Sequence, residues 1–202
     1  MSTIKKEPLF WSLDLEMEQP SDEIISVGVA LEYPTETIKK DFLITPSQPL
    51  SPFIQELTGL KDDMFDWNKT RKECFLEFYN EYYNFSAIND PGFKPQPHPI
   101  TWGQGDLHLL RKQMNEVLFS EVELPRRIVD VKSLLWFEKM VKGEYNSARM
   151  SLDSGLKYMN LTFLGNPHNS ADDAYNTLLL FRHLLYSKTK FRNYLENISE
   201  FL

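Results

Sequence analysis

Asp14 and Glu16 near the start of the chain, Asp106 in TWGQGD, and His168 with Asp173 in HNSADDA are the residues whose types and spacing suit chemistry. Four carboxylates from three distant segments supply hard oxygen donors for divalent cations, and the imidazole supplies a group that titrates near neutral pH. Together they suit two-metal attack on a phosphodiester. The chain has 29 acidic residues, so the order and local setting of these four carry the signal, not the number of acids.

Each residue taken singly also has a plain structural explanation. Asp14 and Glu16 stand two apart in a segment of strand composition, so both side chains leave one face while Leu13 and Leu15 leave the other. A solvated strand face would show the same alternation. Asp106 follows a glycine turn and opens a helix, where a carboxylate interacts favourably with the helix dipole. Ser170 to Asp173 has the form of a capping box with Asp in place of the preferred Glu. His168 lies five residues before Asp173 in a loop begun by Gly165-Asn166-Pro167, free to lean over a site at the helix start. His98, His108 and His183 read as surface histidines.

The elements that must position these groups follow from pattern. Residues 9–17 and 23–33 have strand composition, and 37–44 supply a third strand after the turn Pro34-Thr35-Glu36. Short connections between three consecutive strands imply an antiparallel meander. Ser51-Pro52 opens a helix that Gly59 ends. Residues 70–86 form another, with Phe75, Phe78, Tyr79 and Tyr82 on one core-facing stripe. The stretch 89–99 holds four of the twelve prolines and is irregular. A strand ITWG, a helix from Gly105, a strand running into a helix at RIVDVKSLLW and a short helix over 151–160 follow. The last helix presents Ala174, Leu178, Phe181 and Leu185 on one face. This order implies a mixed sheet covered by helices, and an α/β fold of the ribonuclease-H-like kind, with three antiparallel strands and then parallel strands flanked by helices, satisfies it.

At 202 residues the chain suits one domain, read as 8–202 after a flexible tail over 1–7. Cys74 is the only cysteine, which rules out an intramolecular disulfide and a cysteine zinc site and fits a cytoplasmic setting. The start of the sequence lacks an apolar signal core, and no apolar run approaches the ~20 residues that span a bilayer. A net charge of −7 argues against a broad grip on duplex DNA, while single-stranded ends held by stacking and cations remain compatible.

Taken together, SLDLEME, TWGQGD and HNSADDA resemble the three motifs of the DEDDh exonucleases, a 3′-to-5′ nuclease family. The likeness runs over about residues 8–187, and SPFIQELTGL resembles the family segment that follows the third strand. Thr101-Trp102-Gly103 and HNSADDAYNT look most similar to the Eri-type exoribonucleases and their bacterial relatives. Gly105 replaces the aromatic residue common before the second aspartate, and Ser170 stands where Ala or Gly is usual.

The resemblance implies two Mg²⁺ ions, with Mn²⁺ as a substitute. Asp14 would bridge both ions, Glu16 and Asp173 would complete one shell, and Asp106 would serve the other directly or through water. His168 would be the general base, and Leu15 and Met17 would contact the terminal nucleotide. The implied partners are 3′ ends of single-stranded RNA or DNA, RNA slightly favoured, with no membrane and with protein partners left open. Two alternatives stand beside this: a DNA-trimming or proofreading exonuclease acting with a polymerase, and a non-catalytic nucleic-acid-binding module of the same fold. Lys188, Lys190 and Arg192 form a basic cluster that reads as a solvated helix end.

Overall fold

The computed structural model of the chain describes residues 10–33, 36–85, 98–119, 123–144 and 150–199, with side chains through residue 185 in the last segment. The expected tail over 1–7, most of the proline-rich stretch, and the side chains of Lys188, Lys190 and Arg192 lie outside the described residues. Strands β1 (Phe10–Glu18), β2 (Glu23–Glu32) and β3 (Thr37–Leu43) form an antiparallel meander. Strands β4 (Ile100–Thr101) and β5 (Val129–Asp130) add in parallel beside β1, giving the order β3-β2-β1-β4-β5. The helices are α1 (Pro52–Thr58), α2 (Arg71–Phe85), α3 (Gly105–Leu118), α4 (Val131–Val141), α5 (Leu152–Tyr158) and α6 (Ser170–Ser199), with a 3₁₀ turn at Asp62–Met64.

Alternation along the central strands divides the core between two faces. Trp11, Leu13 and Leu15 of β1 and Val27, Val29 and Leu31 of β2 pack against Phe75, Phe78 and Tyr82 of α2 and Leu107, Leu110 and Met114 of α3. The aromatic stripe of α2 is therefore core, as the sequence predicts. On the opposite face, Ala30 and Ile100 meet α4, α5 and α6 through Leu135, Leu156, Ala174, Leu178 and Phe181. Ser51 caps α1 by accepting from the Ile54 amide, and Gly59 ends it in the left-handed region at φ 74°.

Three local expectations are corrected. The strand ITWG is only Ile100–Thr101, because Thr101 Oγ1 donates to the Gly103 carbonyl at 2.6 Å and Gly103 turns the chain at φ 111°. Leu185 is 39% exposed, whereas Leu180 and Leu184 are buried in the cluster with Leu135 and Leu156, because α4 and α5 cover a second side of α6. Ser170 does not cap α6. Asn169 does, its Oδ1 accepting from the Asp172 amide at 3.0 Å, while Ser170 is already helical.

The seat of α6 decides where Asp173 lies. On the face opposite the apolar residues, β1 and β2 present Ser12, Ser26, Gly28 and Ala30, all small. Ser12 Oγ donates to the Ala174 carbonyl at 2.5 Å, and the Ser26 and Ser170 hydroxyls are 2.6 Å apart. At Gly28 a Cβ would overlap the backbone of Ser170 and Ala171, so the missing side chain is what lets the helix start rest on the sheet. Gly28→Ala is expected to cost about 1–3 kcal/mol of overpacking, a fall in Tm of roughly 2–12 °C. An unchanged melting curve would contradict that close approach.

Candidate active site

Asp14 and Glu16 leave the α6 side of β1, as the period-two reading predicts, and Leu13 and Leu15 are buried on the other side. Just beyond, the register between β1 and β2 shifts at Glu16/Met17, a bulge of the kind found beside functional sites. Glu18, the next acid on the strand, is engaged elsewhere. Burial alone would raise its pKa, but bonds from Ser51 Oγ at 2.7 Å, the Ser51 amide at 2.9 Å and the Gln19 amide hold it below the ordinary carboxylate range.

Asp173 projects from the first turn of α6. Its Oδ2 accepts the backbone N–H of His168 at 2.9 Å, which folds the preceding loop back over the helix start. His168 occupies the left-handed region at φ 62°, and its side chain is exposed. An imidazole nitrogen of His168 and carboxylate oxygens of Glu16 and Asp173 all lie within 4.8 Å of one another, a set of groups able to hold a metal ion.

The His168 loop is fixed by residues that carry no reactive chemistry. Asn176, fully buried, accepts from the Leu164 amide at 2.9 Å and donates to the Leu164 and Asp172 carbonyls at 2.8 and 2.7 Å. Asp172 Oδ2 accepts from the Asn166 amide at 2.8 Å, and Lys39 of β3 pairs with the other oxygen. Gly165, at φ 94°, leaves room for that carboxylate, since a Cβ would overlap it.

Asp106 sits in the first turn of α3, behind the Gly103 turn. Trp102 lies against Gly155 of α5, where a Cβ would come within 2.8 Å of its ring, and this contact holds the turn. Asp130, at the end of β5, caps α4 through Ser133 N at 3.1 Å and Ser133 Oγ at 2.6 Å. Its charge reaches Asp106.

Electrostatics show that the distant acids converge. Burial, then the charges of Asp106, Asp173, Glu16 and Asp41, push the Asp14 carboxyl well above the usual range. Burial, followed by Asp173, Asp106 and Asp41, raises Glu16 to about 8. Asp106 is raised to about 6 by burial and by Asp130. Asp173 reaches about 6 chiefly through burial, against the lowering effects of the His168 N–H and imidazole. These carboxylates raise one another's pKa, and a divalent ion held among them would offset that repulsion.

This arrangement makes stability depend on pH. Glu16, Asp106 and Asp173 hold protons in the folded chain that the unfolded chain, with carboxyl values of 3.8 and 4.5, has released. The native state therefore binds more protons across this range. The contribution is full below about pH 4 and is lost as pH rises through 6 to 8. In EDTA the Tm is expected to be lower at pH 8 than at pH 5, and Mg²⁺ is expected to raise it at pH 8. A metal-free Tm that rises or stays level over this interval would contradict the coupling.

The residues named for nucleotide contact occupy different settings. Leu15 is 5% exposed and its side chain belongs to the core, whereas Met17 is partly buried at its edge. Asp41, Gly28, Asn176 and Asp130 also shape the site and are not among the residues that the sequence motifs mark. Asp41 lies in TIKKDFL, where an acid in a polar strand gives no chemical signal. Gly28 had one: the alternation Ser26, Gly28, Ala30 against Val27, Val29, Leu31 marks a small-residue face.

Residues 12–181 match the RNase T exonuclease family model, and the chain belongs to that family. No curated protein sequence matches it significantly. Among solved structures, it is similar to the nuclease domain of 3′hExo, a DEDDh family member bound to rAMP, at 18% identity and a TM-score of 0.66, covering 88% of this chain and 92% of that one. Cell-death related nuclease 4 (CRN-4) aligns at 14% identity and a TM-score of 0.71 over 88% of this chain and 64% of its own. A 3′-exonuclease solved in 3′-end specific recognition of a histone mRNA stem-loop aligns at 18% identity and 0.68, over 88% and 81%. The fold is thus the ribonuclease-H-like fold of DEDDh exonucleases, as the sequence predicts.

Proposed function

We propose that the protein is a metal-dependent 3′-to-5′ exonuclease that releases nucleoside monophosphates from single-stranded nucleic acid ends, with RNA favoured. The observation that carries this reading is the convergence of Asp14, Glu16, Asp106 and Asp173 on one another, with His168 beside Glu16 and Asp173. Membership of an exonuclease family supports the reaction class. The RNA preference draws on the 3′hExo domain bound to rAMP and on the exonuclease solved with histone mRNA stem-loop.

The donor set fits hard divalent cations. It consists of carboxylate oxygens and one imidazole, without thiolates, and its acids repel one another until a cation is shared. Asp14, Glu16, Asp106 and Asp173 would hold two Mg²⁺ or Mn²⁺ ions, which supply charge neutralisation at the attacking and leaving oxygens of an in-line displacement. His168 accepts the proton of the attacking water at an imidazole nitrogen. The pinned loop backbone brings that imidazole within reach of Glu16 and Asp173. Met17, at the edge of the core beside Glu16, offers an apolar contact to the terminal base, and Leu15 offers its backbone.

Matched 5′-labelled single-stranded RNA and DNA, incubated with Mg²⁺ or with EDTA, test this. The expected result is a ladder shortening from the 3′ end that requires the cation and forms faster on RNA. Metal-independent binding of both strands without any product would contradict it and favour a binding module; faster shortening of DNA would move the substrate to DNA trimming.

A further inference from the structure

We propose that Asp41 is a positioning residue of this site, an external cap that fixes the start of α6, and with it Asp173 and His168, against Asp14 and Glu16. Asp14 pairs with Gly28 across β1 and β2, and Gly28 pairs with Asp41 across β2 and β3, so the three form one row across the sheet. The helix start fills the gap above the glycine, and an aspartate stands on either side. Asp14 faces the reaction, whereas Asp41 binds the helix.

The contacts of Asp41 are complete for that task. Its Oδ1 accepts from Ser170 Oγ at 2.7 Å and from the Ala171 amide at 2.9 Å. Its Oδ2 accepts from Asn169 Nδ2 at 3.2 Å. A helix leaves its first amides without internal partners. Here Asn169 satisfies Asp172 and Asp173 from within the chain, while the Ala171 amide is satisfied from β3. Asp41 therefore sets the helix relative to the sheet, which a cap within the same chain segment cannot do. Two residues away on the same strand, Lys39 pairs with Asp172 and ties down the next part of the turn. The cost of the arrangement is a further negative charge felt by Asp14 and Glu16, which makes simple electrostatic support of those acids a poor explanation for Asp41.

The inference rests on the exonuclease reading for its kinetic readout alone. Asp41→Ala and Asp41→Asn would be compared with the unmodified chain by kcat and KM on 5′-labelled single-stranded RNA, and by hydrogen exchange over 165–175. Misplacing a reacting group by about 1 Å costs on the order of 100-fold. Asp41→Ala is therefore expected to lower kcat about 10- to 100-fold with KM within about 3-fold, and to speed exchange in 165–175 by about 10-fold without a matching rise in the core strands. Asp41→Asn keeps an oxygen acceptor for Ser170 and Ala171, and should restore kcat and protection to within about 5-fold of the unmodified chain.

Equal losses in the two variants would overturn the proposal in favour of charge. Exchange that accelerates throughout the protein would overturn it in favour of general destabilisation, and an unchanged kcat and exchange pattern in Asp41→Ala would overturn it outright. If the unmodified chain degrades neither RNA nor DNA, the exonuclease reading fails, while local exchange still decides the role of Asp41.

Discussion

Asp14→Asn is expected to lower strand degradation by more than about 1000-fold, at least about 4 kcal/mol of transition-state stabilisation. The substitution preserves shape and removes one charge at the point where four other carboxylates meet. Asp14 is coupled to Asp106, Asp173, Glu16 and Asp41, which arrive from α3, α6, β1 itself and β3. No other group in the site feels so many acids. Its loss removes the donor best placed to serve two cations, so metal binding should weaken together with turnover. The variant should also be more stable than the unmodified chain in EDTA at pH 8, because the remaining acids lose a repulsive neighbour. Retention of both turnover and metal affinity would show that Asp14 is not at the centre of the site.

His168→Ala is expected to lower kcat by about 10²–10⁴-fold, the usual worth of a positioned general base. The loop geometry separates this effect from a collapse of the site. What reaches Asp173 is the backbone N–H of residue 168, and the loop is held by Asn176, Asp172 and Gly165, none of which depends on the imidazole. Cation affinity should therefore fall modestly while kcat falls steeply. Turnover equal to that of the unmodified chain at saturating substrate and cation would remove His168 from proton transfer. Loss of kcat and cation affinity by the same factor would make it a metal ligand.

The candidate site residues were legible in the sequence because their placement obeys short-range rules. Asp14 and Glu16 share a face by the period of a strand, and Asp106 and Asp173 fall in the first turns of helices whose starts the flanking glycines and polar residues announce. The meander of β1 to β3 and the Ser51 and Gly59 boundaries of α1 were legible for the same reason. What escaped depends on contacts between distant segments. Asp41 acts only because register brings it level with Gly28 and α6 descends there. Ser170 looked like a cap until Asp41 and Ser26 claimed its hydroxyl. Leu184 is buried and Leu185 is not because α4 and α5 cover a second side of the helix. Period alone identifies which residues share a face, but tertiary packing decides which face is covered.

In the proposed mechanism, carboxylates from β1, α3 and α6 hold two divalent cations as one unit. Counting bound Mn²⁺ by titration in the presence of a nucleoside 5′-monophosphate, on the unmodified chain and on Asp14→Asn, tests it most directly. Two ions per chain, with loss of at least one in the variant, is the expected result. A single ion or none in the unmodified chain, or the same count in both proteins, would contradict a shared two-metal site.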